Sequence, residues 1–252
     1  IAQRLADTDP ELLSPEEQEA RLRAILREDP EDLQALTLLG RFLSRSEREL
    51  EAVTMFTRAL QIEEDPRILS DMGQALVVLN DGQVTPEAER AFEAANTLDP
   101  TLPEPAFFLG AAYYARGERN AAATVWSDII ARLDEGDPFR AAIAARAADL
   151  LSRPQGGPGS DGAAPFADAI AEGVDPADLA DMMVSRLEVR LEEDPDDLSG
   201  WLTLARARWT QGQSEAGLEA LERARLRFED EAGALALIAA MQTAFSVEES
   251  EP

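Results

Sequence analysis

Residues 21–59 read RLRAILREDPEDLQALTLLGRFLSRSERELEAVTMFTRA, and residues 186–224 read RLEVRLEEDPDDLSGWLTLARARWTQGQSEAGLEALERA. The two stretches align without a gap on Pro30 and Pro195. Their identical positions include Leu22/Leu187, Leu26/Leu191, Glu28/Glu193, Asp29/Asp194, Asp32/Asp197, Leu33/Leu198, Leu39/Leu204, Arg41/Arg206, Arg58/Arg223 and Ala59/Ala224. A unit of this size cannot bury a core alone, so its duplication indicates a protein built from stacked repeats.

The repeat predicts helical hairpins of the tetratricopeptide (TPR) type, whose pattern recurs about every 34 residues. Small residues stand at two fixed positions of four hairpins: Gly40, Gly73, Gly110 and Ala205 at the first, and Ala52, Ala88, Ala122 and Gly217 at the second. Glycine inside a helix costs about 1 kcal/mol relative to alanine, so its recurrence indicates two closely packed helices. No stretch alternates apolar and polar residues as a strand would. The predicted fold class is therefore all-α, a superhelical solenoid of TPR hairpins.

Capping residues predict where helices begin. Ser14, Thr85 and Asp175 each precede a proline, which is the usual start of a helix. Asp-Pro pairs that begin at positions 29, 65, 99, 137 and 194 are expected to separate consecutive helices. The second hairpin carries a longer turn, LNDGQVTP, at residues 79–86. We interpret it as a plain turn, because Val77 and Leu79 would occupy ligand positions of an EF-hand loop.

Glycine, proline and serine are concentrated in residues 152–165, SRPQGGPGSDGAAP. This composition predicts a flexible linker between an N-terminal TPR unit, residues 14–151, and a C-terminal TPR-like unit, residues 166–246. The N-terminal unit is expected to hold three hairpins and flanking helices, and the last helix of the chain to end near Phe245. The chain begins with Ile1 and has no apolar run of about 20 residues. We therefore expect an isolated domain without a membrane anchor.

The chain of 252 residues has 50 acidic and 23 basic residues, for a formal net charge of −27. Such a field repels nucleic acid and anionic membranes and attracts basic partners, so it either steers a partner or serves solubility. The chain has no cysteine and no histidine. This excludes a thiol nucleophile, a Ser-His-Asp triad, ordinary zinc sites and histidine-ligated haem. We expect no enzymatic activity, no metal site and no cofactor.

In a TPR hairpin, fixed positions of the first helix point into a concave groove that can hold a peptide. The candidate groove residues are Arg41, Arg45, Gln74, Val77, Phe107, Ala111, Tyr114, Leu202, Arg206 and Trp209, and equivalent positions carry Ser44 and Val78. Aromatic anchors dominate many interfaces. Phe107 is expected to face the groove, whereas Tyr114 and Trp209 either face it or pack between helices. Trp126 and Trp201 occupy packing positions.

Two stretches resemble the periplasmic TPR region of cytochrome c maturation protein I, the CcmI or CycH family. They are residues 183–224, MVSRLEVRLEEDPDDLSGWLTLARARWTQGQSEAGLEALERA, and residues 71–130, DMGQALVVLNDGQVTPEAERAFEAANTLDPTLPEPAFFLGAAYYARGERNAAATVWSDII. The second stretch includes the LNDGQVTP turn, which a generic TPR lacks. The similarity covers most of residues 16–228. Leu36, where the repeat usually has tryptophan, is a departure that leaves the fold unchanged.

The resemblance implies a holding chaperone that captures the C-terminal helix of apocytochromes c and delivers it to the haem-ligation complex. It also implies a place on the periplasmic side of the bacterial inner membrane, other maturation proteins as partners, and contact with the membrane only through an N-terminal anchor that this chain lacks. An amphipathic client helix suits a helical groove. The residues alone leave a second hypothesis open, a generic TPR scaffold for protein-protein interaction.

Overall fold

The computed structural model describes residues 13–153 and 175–250, and every regular element in those ranges is an α-helix. The predicted all-α fold class is confirmed. The twelve helices of these ranges are α1 Pro15–Glu28, α2 Leu33–Arg45, α3 Glu49–Ile62, α4 Pro66–Leu79, α5 Pro86–Leu98, α6 Pro103–Ala115, α7 Arg119–Arg132, α8 Pro138–Ser152, α9 Pro176–Glu193, α10 Leu198–Thr210, α11 Ser214–Arg227 and α12 Ala232–Ser250. The predicted linker, residues 152–165, lies outside the described residues except for its first two positions.

The helices begin where the capping residues predict. In α1 the Glu17 amide donates to Ser14 Oγ at 3.3 Å, and the Ser14 amide donates to Glu17 Oε2 at 3.1 Å. At the start of α5 the Ala88 amide donates to Thr85 Oγ1, also at 3.3 Å. The Asp-Pro pairs at 65 and 137 supply the N-caps of α4 and α8, each with its proline in the first turn. Local hydrogen bonding therefore fixes these helix starts.

Glycine in the first helix of a hairpin lies against phenylalanine in the second helix. A Cβ placed on Gly40 would lie 2.5 Å from Cε1 of Phe56, and one on Gly73 would lie 2.6 Å from Cε1 of Phe92. Both phenylalanines are buried. Real Cβ atoms do not approach a ring so closely, which explains why glycine recurs at this position despite its low helix propensity.

The first compact unit covers residues 1–112. Helix α3 packs against both α2 and α4, and α4 packs against α5, so each hairpin stacks on its neighbour in sequence. The core of this stack consists of Leu36, Leu39, Leu43, Ala52, Phe56, Ala59, Ile68 and Ala75. Helices α2 and α4, the first helices of two consecutive hairpins, also contact each other.

The second compact unit covers residues 113–252, so the last turn of α6 belongs to it. Among its described helices, α7, α8, α10 and α12 form a bundle in which each helix contacts the other three. Gly233 at the start of α12 packs directly against the backbone of Ser127 in α7. The sequence predicts that the last helix ends near Phe245, whereas α12 continues to Ser250.

The contacts within the second unit cross the expected domain boundary. Helix α8 precedes residues 152–165, whereas α10 and α12 follow them, yet α8 packs against both. The division by contacts falls between Ala112 and Tyr113. The boundary expected at residues 152–165 stays a prediction, because most of that segment lies outside the described residues.

Arg119 joins three helices of this bundle. Its buried guanidinium donates to the carbonyl oxygens of Leu151 and Arg153 at the end of α8, the second at 2.9 Å, and to Thr203 Oγ1 of α10 at 3.3 Å. Burial lowers the pKa of Arg119, with the Tyr114 hydroxyl opposing this shift. The carbonyls at the end of α8, which no helical amide can reach, thereby gain a charged donor.

None of the helices in residues 13–153 and 175–250 combines the length and the apolar composition that a membrane span requires.

Gly40→Ala tests the close packing of the first hairpin. The new Cβ would overlap the Phe56 ring, which is buried. We expect the free energy of unfolding to fall by about 1–3 kcal/mol, even though alanine is the better helix former. Urea denaturation followed by circular dichroism measures this change.

Gly136→Ala is the matched control, because a Cβ there meets nothing within 4 Å. It should change stability by no more than about 0.5 kcal/mol. Equal stability of the two variants would contradict the proposed contact.

Candidate peptide-binding site

The residues predicted to line a groove are distributed over both units. Arg41, Arg45, Gln74, Val77, Phe107 and Ala111 belong to the first unit, and Tyr114, Leu202, Arg206 and Trp209 belong to the second. The two sets of residues have different surroundings.

Helices α2, α3 and α4 of the first unit bound an open cavity of about 340 Å³. Its polar lining residues are Arg41, Ser44, Arg45, Glu49, Asp71 and Gln74. Its apolar lining residues are Phe56, Ala75 and Val78. Three of the predicted groove residues, Arg41, Arg45 and Gln74, therefore meet at one place, together with Ser44 and Val78 from equivalent positions. The volume is near the lower end of the range for ligand pockets.

An ion pair connects α2 and α4 across the cavity. Arg41 Nε donates to Asp71 Oδ2 at 2.6 Å, and both side chains are partly exposed. Burial raises the pKa of the Asp71 carboxyl above its ordinary value, while the hydrogen bond from Arg41 acts in the opposite direction. A contact this short would by itself lower the pKa, so the loss of hydration is the larger effect. The Asp71 carboxylate is thus partly desolvated.

Arg45 and Ser44 have unused hydrogen-bonding capacity. Arg45 is exposed, its Nε donates to the Arg41 carbonyl oxygen at 3.2 Å, and it forms no ion pair with any carboxylate of the described residues. The Ser44 hydroxyl oxygen is buried and has no hydrogen-bond partner in the described part of the chain. Gln74 is better satisfied, since its Nε2 donates to Ser70 Oγ at 3.3 Å. All three residues line the same cavity.

Val77 was predicted to line the groove, and the structure buries it at 6% exposure. Its neighbour Val78 is 60% exposed and lies at the cavity. Successive residues of a helix point about 100° apart, so a shift of one position exchanges an inward for an outward side chain. In α4 the apolar side chain available to a ligand is that of Val78.

Phe107 and Ala111 lie on α6, and both are partly buried. The Phe107 ring packs edge to face on Phe108, with centroids 5.5 Å apart. Phe108 in turn stacks on Phe92 of α5 at 4.7 Å. Phe107 therefore combines a supported position with an accessible part of its ring, as an aromatic anchor requires.

Tyr114, the first predicted groove residue of the second unit, packs against other side chains. Its ring lies 6.4 Å from that of Trp126, and the Arg119 guanidinium lies 5.3 Å from its centroid. Trp126 and Trp201 are buried, which confirms them as packing residues. Of the two alternatives for Tyr114, these contacts favour packing between helices.

The three candidate residues on α10 are also engaged within the second unit. Leu202 has 0% exposure, so its assignment to an open groove is corrected to a core position. The Trp209 ring stacks on Phe245 of α12, with centroids 4.1 Å apart and planes 7° from parallel. Arg206 pairs with Glu248 of α12 at 3.4 Å and with Asp149 of α8 at 3.8 Å. Helices α8 and α12 thus occupy this face of α10.

Two charged cavity residues, Glu49 and Asp71, were absent from the predicted groove. Asp71 follows Arg41 by about one repeat, so it stands on the first helix of the next hairpin. The opposite charges of Arg41 and Asp71, in adjacent repeats, were the sequence feature that could have indicated their ion pair. Glu49 begins the second helix of its hairpin and carried no such signal.

The paired helices and their glycine–phenylalanine contacts define a tetratricopeptide-repeat protein. No protein-family model matches the chain. A curated relative from Bradyrhizobium diazoefficiens, "Cytochrome c-type biogenesis protein CycH", is 32% identical over 204 residues, covering 79% of this chain and 54% of that protein. The protein of the same name from Rhizobium meliloti is 30% identical over 200 residues, covering 77% and 52%. The chain is thus homologous to the CycH proteins, which confirms the resemblance seen in the sequence.

The chain spans about half the length of the curated relatives it matches. Among solved structures, it is similar to YrrB, "a TPR protein with an unusual peptide-binding site". The TM-score is 0.47 and the identity 18%, over 85% of this chain and 95% of that chain.

Asp71→Asn is expected to change how stability depends on pH. The folded-state pKa of Asp71 lies above the unfolded value of about 3.9, so the folded state binds a proton more readily than the unfolded state. The resulting stabilisation is complete below the unfolded pKa and is lost as the pH rises through the folded pKa. The wild type should therefore lose stability relative to Asp71→Asn as the pH rises from about 3 towards neutrality.

Urea unfolding of both proteins across this pH range measures the difference, in which the titration of the other acids cancels. A gain of relative stability by the wild type would mean that the ion pair with Arg41 outweighs burial, contrary to the pKa shift described above.

Proposed function

We propose that the chain holds apocytochromes c before haem attachment and passes them to the haem-ligation machinery. Its relatives in two bacteria are named as cytochrome c-type biogenesis proteins, which supports a role in that process. Because the chain corresponds to about half of those relatives, the proposal concerns the shared portion. Binding, not catalysis, is the activity proposed for it.

The observation that carries the proposal is the cavity of the first unit, which is lined by both charged and apolar residues. Its lining includes Arg41 and Arg45 as well as Phe56 and Val78. An amphipathic helix presents the same two kinds of surface, and helix-in-groove recognition depends on apolar anchors set in such a surface. The C-terminal helix of an apocytochrome c is the client segment proposed.

The charge of the chain supports the same kind of client. A net charge of −27 attracts a basic helix over distances of about a Debye length, roughly 8 Å at physiological ionic strength. Long-range attraction mainly raises the association rate, whereas apolar contacts slow dissociation. The charge would bring the client to the surface, and the cavity would hold it.

The proposed location is the periplasmic side of the bacterial inner membrane, with the haem-ligation proteins as the recipients of the client. This location and these partners rest on the relationship to the CycH proteins. A TPR fold suits the task, because it binds segments of other chains along exposed helix faces.

A binding comparison between apo and holo forms of one c-type cytochrome tests the function. The immobilised chain should retain the apo form, and the holo form should bind at least about tenfold more weakly, because haem attachment folds the client and hides its helix. Surface plasmon resonance measures both affinities. A generic scaffold would bind neither form, and equal binding of the two forms would contradict the holding function.

Phe107→Ala tests the aromatic anchor. Loss of the ring should weaken binding of the client helix by about 1–3 kcal/mol if Phe107 is a hot spot. Phe139→Ala is the matched control, since Phe139 is a half-exposed phenylalanine that is not among the predicted groove residues. Isothermal titration gives the affinities, and circular dichroism verifies that both variants are folded. Unchanged affinity of Phe107→Ala would remove α6 from the site.

A further inference from the structure

The two units contain the same arrangement of three helices. Residues 21–59 and 186–224 align without a gap, so the hairpin of α2 and α3 corresponds to the hairpin of α10 and α11. The helix that follows each hairpin, α4 or α12, packs against both helices of that hairpin. The pair α10 and α12 is therefore the counterpart of α2 and α4, which bound the candidate site of the first unit.

Further helices cover this pair in the second unit. Both α7 and α8 pack against α10 and α12, whereas no helix outside the hairpin packs against both α2 and α4 in the described part of the first unit. The side chain of Arg41 is 39% exposed, but that of Arg206, its equivalent on α10, is 24% exposed. The face that is open in the first unit is thus covered in the second.

The duplicated positions on this face differ in chemistry as well as in exposure. Thr37 and Ser44 of α2 correspond to Leu202 and Trp209 of α10. Leu202 has no exposed surface, and Trp209 stacks on Phe245 of α12. Large apolar side chains are the residues that proteins bury. Their presence at positions that are polar in the first unit indicates that the second face is built to be covered.

Helix α8 has the properties expected of a client helix. Residues 138–153 contain three arginines and one aspartate, whereas the whole chain has a net charge of −27. The opposite faces of α8 are apolar and solvent-exposed, the exposed one carrying Phe139 and Arg146. The buried face consists of Ile143, Ala144, Ala147, Ala148 and Leu151. A basic amphipathic helix of this kind is what helix-in-groove recognition requires.

Both polar and apolar contacts hold α8 against α10. Thr203 Oγ1 of α10 lies 3.1 Å from the Leu151 carbonyl oxygen, to which the buried Arg119 of α7 also donates. The large side chains on the buried face are Ile143 and Leu151, and the alanines beside them contribute less contact area. Because α8 belongs to the same chain, its effective concentration at this face is about millimolar or higher. A client helix in dilute solution competes poorly with it.

We propose that α8 is an internal occupant of the second unit, covering a face of α10 and α12 that otherwise binds a client helix. The proposal rests on the function proposed above and adds how many client helices the chain holds. With α8 in place, the chain takes one client helix, on the first unit. Release of α8 opens a second site, on the second unit.

Hydrogen exchange of the intact chain, followed by mass spectrometry, tests the proposal. The probe is a synthetic peptide with the sequence of an apocytochrome c C-terminal helix. In the wild type, this peptide should slow exchange in the first unit and leave the exchange of α8, α10 and α12 unchanged. Isothermal titration should give a single peptide per chain.

A double variant, Ile143→Ala with Leu151→Ala, removes both large side chains from the buried face of α8. Exchange of the α8 amides should become at least about tenfold faster, because large-to-small changes in a buried face favour local opening. The client peptide should then slow exchange in α10 and α12, and a second peptide should bind each chain. Phe139→Ala is the matched control, since it removes a large side chain from the exposed part of the same helix and should keep the wild-type pattern.

A second probe does not depend on the client. A synthetic peptide of residues 138–153 should bind the second unit of the double variant and slow exchange in α10 and α12, because it replaces the helix that covers them in the wild type. If the double variant exchanges rapidly throughout the second unit before any peptide is added, Leu151→Ala alone takes its place in the same measurements.

The outcomes separate this proposal from the proposed function. Slower exchange of α10 in the wild type on adding the client peptide, with a second peptide bound, would mean that the face is open and would overturn the proposal. A variant whose α8 exchanges rapidly, but whose second unit binds neither peptide, would overturn it as well. If the wild type binds no client peptide and the double variant binds the peptide of residues 138–153, the holding function fails and the internal occupancy by α8 is supported.

Discussion

The absence of a side chain at Gly40 and Gly73 is the constraint on which the first unit depends. The rings of Phe56 and Phe92 occupy the space that a Cβ would fill, so the two hairpins close through the same contact. Helices α2 and α4, the first helices of these hairpins, contact each other. Phe56 has two roles in this arrangement: its ring packs on Gly40, and the residue also lines the cavity. The candidate site is thus a direct result of how the hairpin closes, since moving the ring would change both.

Charge contributes to this protein mainly outside its core. Several arginines pair with acids one turn away on the same helix, such as Arg90 with Glu87 at 3.1 Å and Arg225 with Glu222 at 2.7 Å. Exposed pairs of this kind add little to stability. The buried Arg119 differs, because it satisfies carbonyls at a helix end instead of a carboxylate. Arg45 differs again, because it is exposed and forms no ion pair with a carboxylate of the described residues.

Local chemistry made the helices predictable from the sequence, and tertiary packing limited what could be predicted of the site. Ser14 and Thr85 cap helices through atoms three residues away, so their effect is visible in the sequence. Gln74 and Arg41 line one cavity because α2 and α4 are the first helices of neighbouring hairpins. Leu202 is buried instead, because α8 and α12 pack against α10. The repeat pattern does not indicate that α8 and α12 pack against α10. The rule that places Leu202 in a groove assumes that only the next hairpin of the repeat lies beside α10.

The return of α12 to α7 also sets an order in which the protein can form. Helix α7 begins at Arg119 and α12 begins at Ala232, so a ribosome working at about 5–20 residues per second needs on the order of ten seconds to produce the second after the first. The first unit pairs only helices that are close in sequence, and it can fold during that interval. The surfaces of α7 and α8 that pack against α12 remain uncovered until α12 has been made. The second unit therefore exposes apolar surface for several seconds during synthesis, at a time when the first unit has been able to fold.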